Sequence, residues 1–151
     1  MNNTQITFSR KPIPLPAEYR PLYKISQILL VLKLSCRSSR GSLLKLHLFS
    51  WAMKSENNMQ ITLNFVQQKE KQDFKIWSME PSLNRAMHYA TAQGFCQQKN
   101  GKYELTETGE SFIKSIEDLD QVFKNEKAFL QQIGKSMSEA KITALAKEWS
   151  S

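Results

Sequence analysis

Asn100-Gly101 restricts what this chain can fold into more than any other pair of its residues. Such a dipeptide accepts the positive φ values of a two-residue hairpin turn. It sits between Phe95 to Lys99 and Lys102 to Leu105, two segments of strand length. Upstream, Pro81 to Gln93 carries Leu83, Ala86, Met87 and Ala90 at helical spacing, opened by Glu80-Pro81 and closed by Gly94. Downstream, Thr106 is placed to cap a further helix through Phe112, Ile113 and Ile116, running to about Asp118.

A helix that feeds a hairpin is the pattern of a winged helix-turn-helix. The expected class is therefore mainly α with a small β-hairpin or three-stranded sheet. Phe74, Ile76 and Trp77 read as the third strand. Before the hairpin unit, Leu22, Ile25, Leu29, Leu32 and Cys36 step by three and four, which predicts a helix from Pro21 to Cys36. Ile28, Leu30, Val31 and Leu34 add apolar surface on its other sides, so this is the expected core helix. Arg37 to Gly41 breaks the pattern, and Ser42 is placed to cap a second helix from Leu43 to Lys54. That helix is apolar on more than one side, more than one domain is expected to hide. Met59 to Asp73 reads as a further helix, with Ile61, Phe65 and Val66 loosely spaced. After the hairpin unit, Leu119, Val122, Phe123, Phe129, Leu130 and Ile133 predict another helix, interrupted by Gly134. Ser136 and Glu139 have capping-box spacing for a last helix through Ile142, Leu145, Ala146 and Trp149. The expected division is an extended arm over 1–20, a winged-helix domain over 21–117 and a helical extension over 118–151.

Within the arm, Pro12, Pro14 and Pro16 alternate with apolar residues, and proline cannot donate to a backbone ladder. The segment reads either as a disordered tail or as a docking strand. Ile13, Leu15 and Tyr19 are the residues that would dock, as would Trp149 at the other end of the chain.

Charge is distributed unevenly. Residues 1–58 hold 9 Lys and Arg against 2 Asp and Glu, whereas residues 59–151 hold 12 against 12. All of the net charge of +7 is therefore N-terminal. A basic chain suggests nucleic acid, because phosphate neutralisation supplies most non-specific affinity. Here the location opposes that reading. The helix that would enter a DNA groove has Arg85 and His88 but follows Glu80, and the hairpin has Lys99 and Lys102 but also Glu104. Arg37, Arg40, Lys45 and Lys54 form the concentrated patch, a candidate site for phosphate or for an acidic partner at the start of the second helix. Its plain alternative is a solvated turn.

Chemistry-bearing patterns are sparse. His47, His88, Cys36 and Cys96 lack the paired short spacings of a structural zinc site. Cys36 beside Arg37 is a candidate low-pKa thiol, but its place on an apolar helix face suits an inert core cysteine. Glu117, Asp118 and Asp120 lack the glycine and ligand spacing of a calcium loop, and there is no GxxxxGK[ST] phosphate loop. Neither catalysis nor a cofactor nor a metal is expected. No apolar run approaches the roughly 20 residues of a bilayer span, and Met1 to Arg10 lacks a secretory h-region. With two cysteines, the expectation is a reduced, cytoplasmic protein without membrane contact.

Taken together, Tyr19-Arg20-Pro21-Leu22-Tyr23-Lys24, Gln27 to Leu32, Ser35-Cys36-Arg37 and Leu43 to Ala52 resemble the start of the middle components of ABC three-component systems. The resemblance resumes at Glu80 to Ala86, Gly94-Phe95 and Leu105-Thr106-Glu107-Thr108-Gly109, and covers roughly Tyr19 to Ile116. It implies a non-enzymatic adaptor that joins an SMC-like ATPase to an effector, often a nuclease, in anti-phage or anti-plasmid defence as in Lamassu systems. In such a role the winged helix docks protein, and DNA is met indirectly or through non-specific phosphate contacts. The competing expectation is a sequence-specific transcriptional regulator reading DNA through Arg85, His88, Lys99 and Lys102. A third is a small cysteine-dependent enzyme, which requires an exposed, reactive Cys36.

Overall fold

The computed structural model describes residues 20–67 and 80–150, without the side chains of Arg20 and residues 148–150. The docking residues Ile13, Leu15 and Tyr19, the segment Phe74 to Trp77 and the Trp149 side chain lie outside that description.

The first helix, α1 (Arg20–Ser35), is the axis of the core. Ile25, Ile28, Leu29, Leu30, Val31 and Leu32 are all buried, because α1 is surrounded instead of lying on a surface. A short 3-10 turn over Arg37–Ser39 follows, in which Ser38 and Ser39 take left-handed φ values of 56° and 55°. Arg40–Gly41 is then a two-residue strand, β1. Ser42 caps α2 (Leu43–Ala52) as its position in the sequence suggests, its side chain accepting from the Lys45 N–H. The helix ends at Ala52, short of Lys54. Every residue from Lys45 to Met53 is buried. The expected surplus of apolar surface on α2 is thus absent: α3 (Glu56–Gln67), α1 and the last helix of the chain cover it.

Next come α4 (Pro81–Ala92), β2 (Cys96–Lys99) and β3 (Lys102–Leu105). Proline occupies the first turn of α4 and Gly94 (φ 81°) ends it, with Phe95 N–H returning to Ala90 O. Asn100 (φ 54°) and Gly101 (φ 76°) make the hairpin turn, and β2 and β3 pair antiparallel with Cys96 opposite Leu105 and Lys99 opposite Lys102. Among the described residues the sheet has three strands in the order β1-β3-β2. Its third strand is Arg40–Gly41, which takes the free edge of β3 with Arg40 opposite Glu104.

Thr106 caps α5 (Glu107–Lys114), accepting from Gly109 N–H. Asp118 (φ 66°) then breaks the chain direction, so α6 (Leu119–Val122) and α7 (Lys124–Ile133) do not continue α5. The end of the chain is joined to the core around α1 and α2. Tyr23 lies 4.7 Å from Phe123 between ring centroids, Phe49 meets Phe129, and Ser35 Oγ donates to Leu130 O. The expected Ser136–Glu139 capping box does not form. Ser138 caps α8 (Glu139–Ser150) by accepting from Lys141 N–H, and Glu139 reaches across to accept the Ser42 N–H at 3.0 Å. The carboxylate of one helix's first turn thus satisfies a backbone donor at the start of another.

Candidate functional site

Two concave features flank the sheet-and-helix unit. The larger is a groove of about 880 Å³ whose walls include Tyr23 and Ile25 of α1, Ala86 and Tyr89 of α4, and Val122 of α6. Tyr89, 51% exposed, is the one exposed large hydrophobic side chain among the described residues. The tyrosine is open because α4 spends Leu83, Ala86, Met87 and Ala90 on the core, and position 89 falls on the opposite side.

The charge along this groove is largely internal. Glu80, the N-cap residue of α4, accepts from Ser50 Oγ at 2.6 Å and lies 3.7 Å from Lys24 and 3.5 Å from Lys54. Burial raises the Glu80 pKa, but the Ser50 hydrogen bond and the two ammonium groups outweigh it and hold the carboxyl below its usual range. Lys24 also shifts downward, because its burial outweighs the pull of Glu80. Lys54 is therefore engaged with Glu80 and does not line the cleft where the other three residues of the basic patch meet.

His47 connects α2 to the start of α4. Its Nδ1 accepts the Glu80 N–H at 3.0 Å, which leaves the proton on Nε2 to donate to Asn84 Oδ1 at 3.1 Å. Burial lowers its pKa below the usual 6.5. Between the folded and unfolded values the unfolded chain binds the proton and the folded one does not, so stability falls as pH drops below about 6.5. Thermal melts between about pH 7.5 and 5.5 are expected to show a Tm that declines with acid, and the decline should flatten in His47→Gln. Equal slopes in the two chains would show that His47 does not couple the helices in this way.

The second feature is a cleft of about 320 Å³ lined by Arg37, Ser38, Arg40, Lys45, Lys102, Lys135, Ser138 and Glu139. Three patch residues expected from sequence, Arg37, Arg40 and Lys45, come together here. Lys102 joins from β3 and Lys135 from the α7–α8 connection, and sequence reasoning placed neither in the patch. Arg40 Nε donates to Glu104 Oε2 at 3.2 Å across the β1–β3 pair. The four residues proposed for DNA reading are divided: Arg85 lines the groove, Lys102 lines this cleft, and His88 and Lys99 are exposed.

Cys36 is buried, and its thiol pKa is pushed up to about 11, chiefly by burial. The exposed, reactive thiol that a cysteine-dependent enzyme requires is therefore not what this fold presents. Among the described residues no group of three His, Cys, Asp or Glu side chains is arranged to hold a metal ion, and no helix is long and apolar enough to cross a membrane.

No family model matches this chain, and neither a curated protein nor a solved structure matches it.

Proposed function

We propose that this chain is a winged-helix adaptor that works in the cytoplasm without catalysis of its own, its α4 face gripping protein instead of reading DNA. In this reading it links an SMC-like ABC ATPase to an effector, a nuclease by class, in a prokaryotic defence complex against phage or plasmids. The strand order β1-β3-β2, with β1 between α1 and α2 and with α4 leading into the hairpin, suits a winged helix. On that reading α3 is an addition between the second helix and the recognition helix.

The observation that carries the proposal is the outward face of α4. Exposed Tyr89 and Arg85 flank an apolar groove whose carboxylate, Glu80, is already neutralised from within. Of the side chains on α4 and the hairpin, Arg85 and Lys99 are the exposed lysine and arginine residues. A surface that neutralises about two phosphates has a salt dependence of roughly −2 on logarithmic axes, a weak hold on duplex DNA. A tyrosine and an arginine beside an apolar groove are, by contrast, the residue types that dominate protein interfaces. The choice of an ATPase as partner rests on the resemblance, covering roughly Tyr19 to Ile116, to the middle components of ABC three-component systems. Coupling would follow from differential affinity: ATP and DNA on the ATPase favour one of two assemblies, and the effector is released or activated in one of them.

Affinity purification of the full chain from its native host, followed by mass spectrometry, is expected to recover an ATPase with a long coiled coil. Tyr89→Asp should lose most of it while melting like wild type. Recovery of the chain alone as an operator-bound homodimer, with duplex binding that selects one sequence and is lost in Arg85→Ala, would establish the transcriptional-regulator reading instead.

A further inference from the structure

The smaller cleft contains charge that the fold does not neutralise. Lys45 is on the first turn of α2 and lines the cleft, although the residue is only 3% exposed. Its ammonium lies 5.9 Å from the Phe49 ring centroid and beside the Cys36 thiol. Lys24 and Lys54 pair with Glu80, Arg40 with Glu104, and Lys127 with Asp120. Lys45, Arg37, Lys102 and Lys135 are in none of these pairs. Glu139 brings one carboxylate to the cleft; it accepts the Ser42 N–H, a neutral donor, and forms no ion pair with Lys45. An ammonium out of water is unfavourable where no carboxylate pairs with it directly, unless a ligand supplies the negative charge. Arg37, Lys102 and Lys135 add three positive charges around the same recess against the single negative charge of Glu139, an excess that calls for an anionic ligand.

We propose that this cleft binds a terminal phosphate, the group carried by a phosphate monoester such as a nucleotide or by pyrophosphate, with Lys45 as its innermost contact. A terminal phosphate has one substituent and can direct three oxygens and close to two negative charges into a recess. A phosphodiester carries chain on both sides and offers two oxygens and one charge, so a duplex backbone cannot approach a lysine this deeply set. An acidic side chain brings one charge to four cations. Arg37 and Lys135 are exposed and free to close over the group, and Ser38 adds a hydroxyl at the rim. This site is separate from the α4 groove and does not depend on the docking reading.

Isothermal titration of the full chain with inorganic pyrophosphate and with adenosine monophosphate is the test, with adenosine as the control. Both phosphates should bind and adenosine should not. Lys45→Met and, separately, Lys135→Glu should weaken binding at least tenfold, while Tyr89→Asp leaves it unchanged. Lys45→Met should melt no lower than wild type in phosphate-free buffer. Should it fold poorly, the exposed Lys135 still tests the site. A 5′-phosphorylated oligonucleotide that binds more tightly than its 5′-hydroxyl form would assign the phosphate to a nucleic-acid end, and equal binding of those two would assign it to a free nucleotide; both outcomes keep the terminal phosphate as ligand. The proposal is overturned if neither pyrophosphate nor adenosine monophosphate binds, if both variants bind like wild type, or if duplex DNA lacking terminal phosphates binds with the same dependence on Lys45.

Discussion

Gly109→Ala is expected to destabilise the protein by about 3 kcal/mol, a net loss that includes the roughly 1 kcal/mol by which alanine favours a helix over glycine. A Cβ at this position would run into the Phe95 carbonyl oxygen and lie 2.7 Å from Leu105 Cδ1. The Phe95 carbonyl cannot simply retreat, because it accepts the Thr106 N–H at 3.1 Å and so closes the base of the hairpin. Gly109 is buried, with no solvent into which the new methyl can turn. For a chain of this size the loss corresponds to a fall in Tm of about 6 to 12 °C. A Tm equal to or above that of wild type would show that α5 does not press on the hairpin as described.

Phe49→Ala should cost a similar or larger amount, about 3 to 5 kcal/mol, because the ring is fully buried and its removal leaves a cavity among residues from several helices. Its ring centroid is 6.1 Å from that of Phe129, at an interplanar angle of 52°. That pair joins α2 to α7. If the end of the chain belongs to the core around α1, Phe129→Ala should also be strongly destabilising, each chain should unfold in one transition, and the double variant should lose about 0.5 to 1.5 kcal/mol less than the sum. Two separate transitions, or strict additivity, would mean that α6 to α8 form a unit of their own.

Local chemistry made some elements legible in the sequence and long-range pairing hid others. Ser42, Gly94, Asn100-Gly101 and Thr106 act on backbone within a few residues of themselves, so their roles as caps and turn could be read directly. The strand Arg40–Gly41 could not. It is two residues long, includes a glycine, and exists because β3 offers it an edge some sixty positions away. The last helix shows the same limit. Ser136 has the capping-box spacing, yet Ser138 caps the helix, and Glu139 accepts instead from the Ser42 amide, a partner far away in the chain. The core role of α1 was evident from its all-round apolar pattern. The same pattern in α2 suggested an uncovered surface, because sequence does not reveal how many neighbours a helix will acquire.

The basic patch divides in the same way. Arg37, Arg40 and Lys45 are close in the chain and stay together in space. Lys54 leaves because α2 ends at Ala52 and the lysine beyond it meets Glu80, while Lys102 and Lys135 arrive only through the packing of β3 and of the α7–α8 connection. In the sequence Lys45 is one cation among four near the start of α2, and its burial is what turns the patch into a recess.

The most direct measurement is photo-crosslinking from position 89 in the native host, with p-benzoylphenylalanine placed there in the full chain. If the outer face of α4 grips protein, irradiation should give a discrete conjugate with an ATPase that carries a long coiled coil, and the same probe at Gln131, on an exposed side of α7, should not. A conjugate with DNA alone from position 89, found together with selection of one duplex sequence by the purified chain, would contradict it.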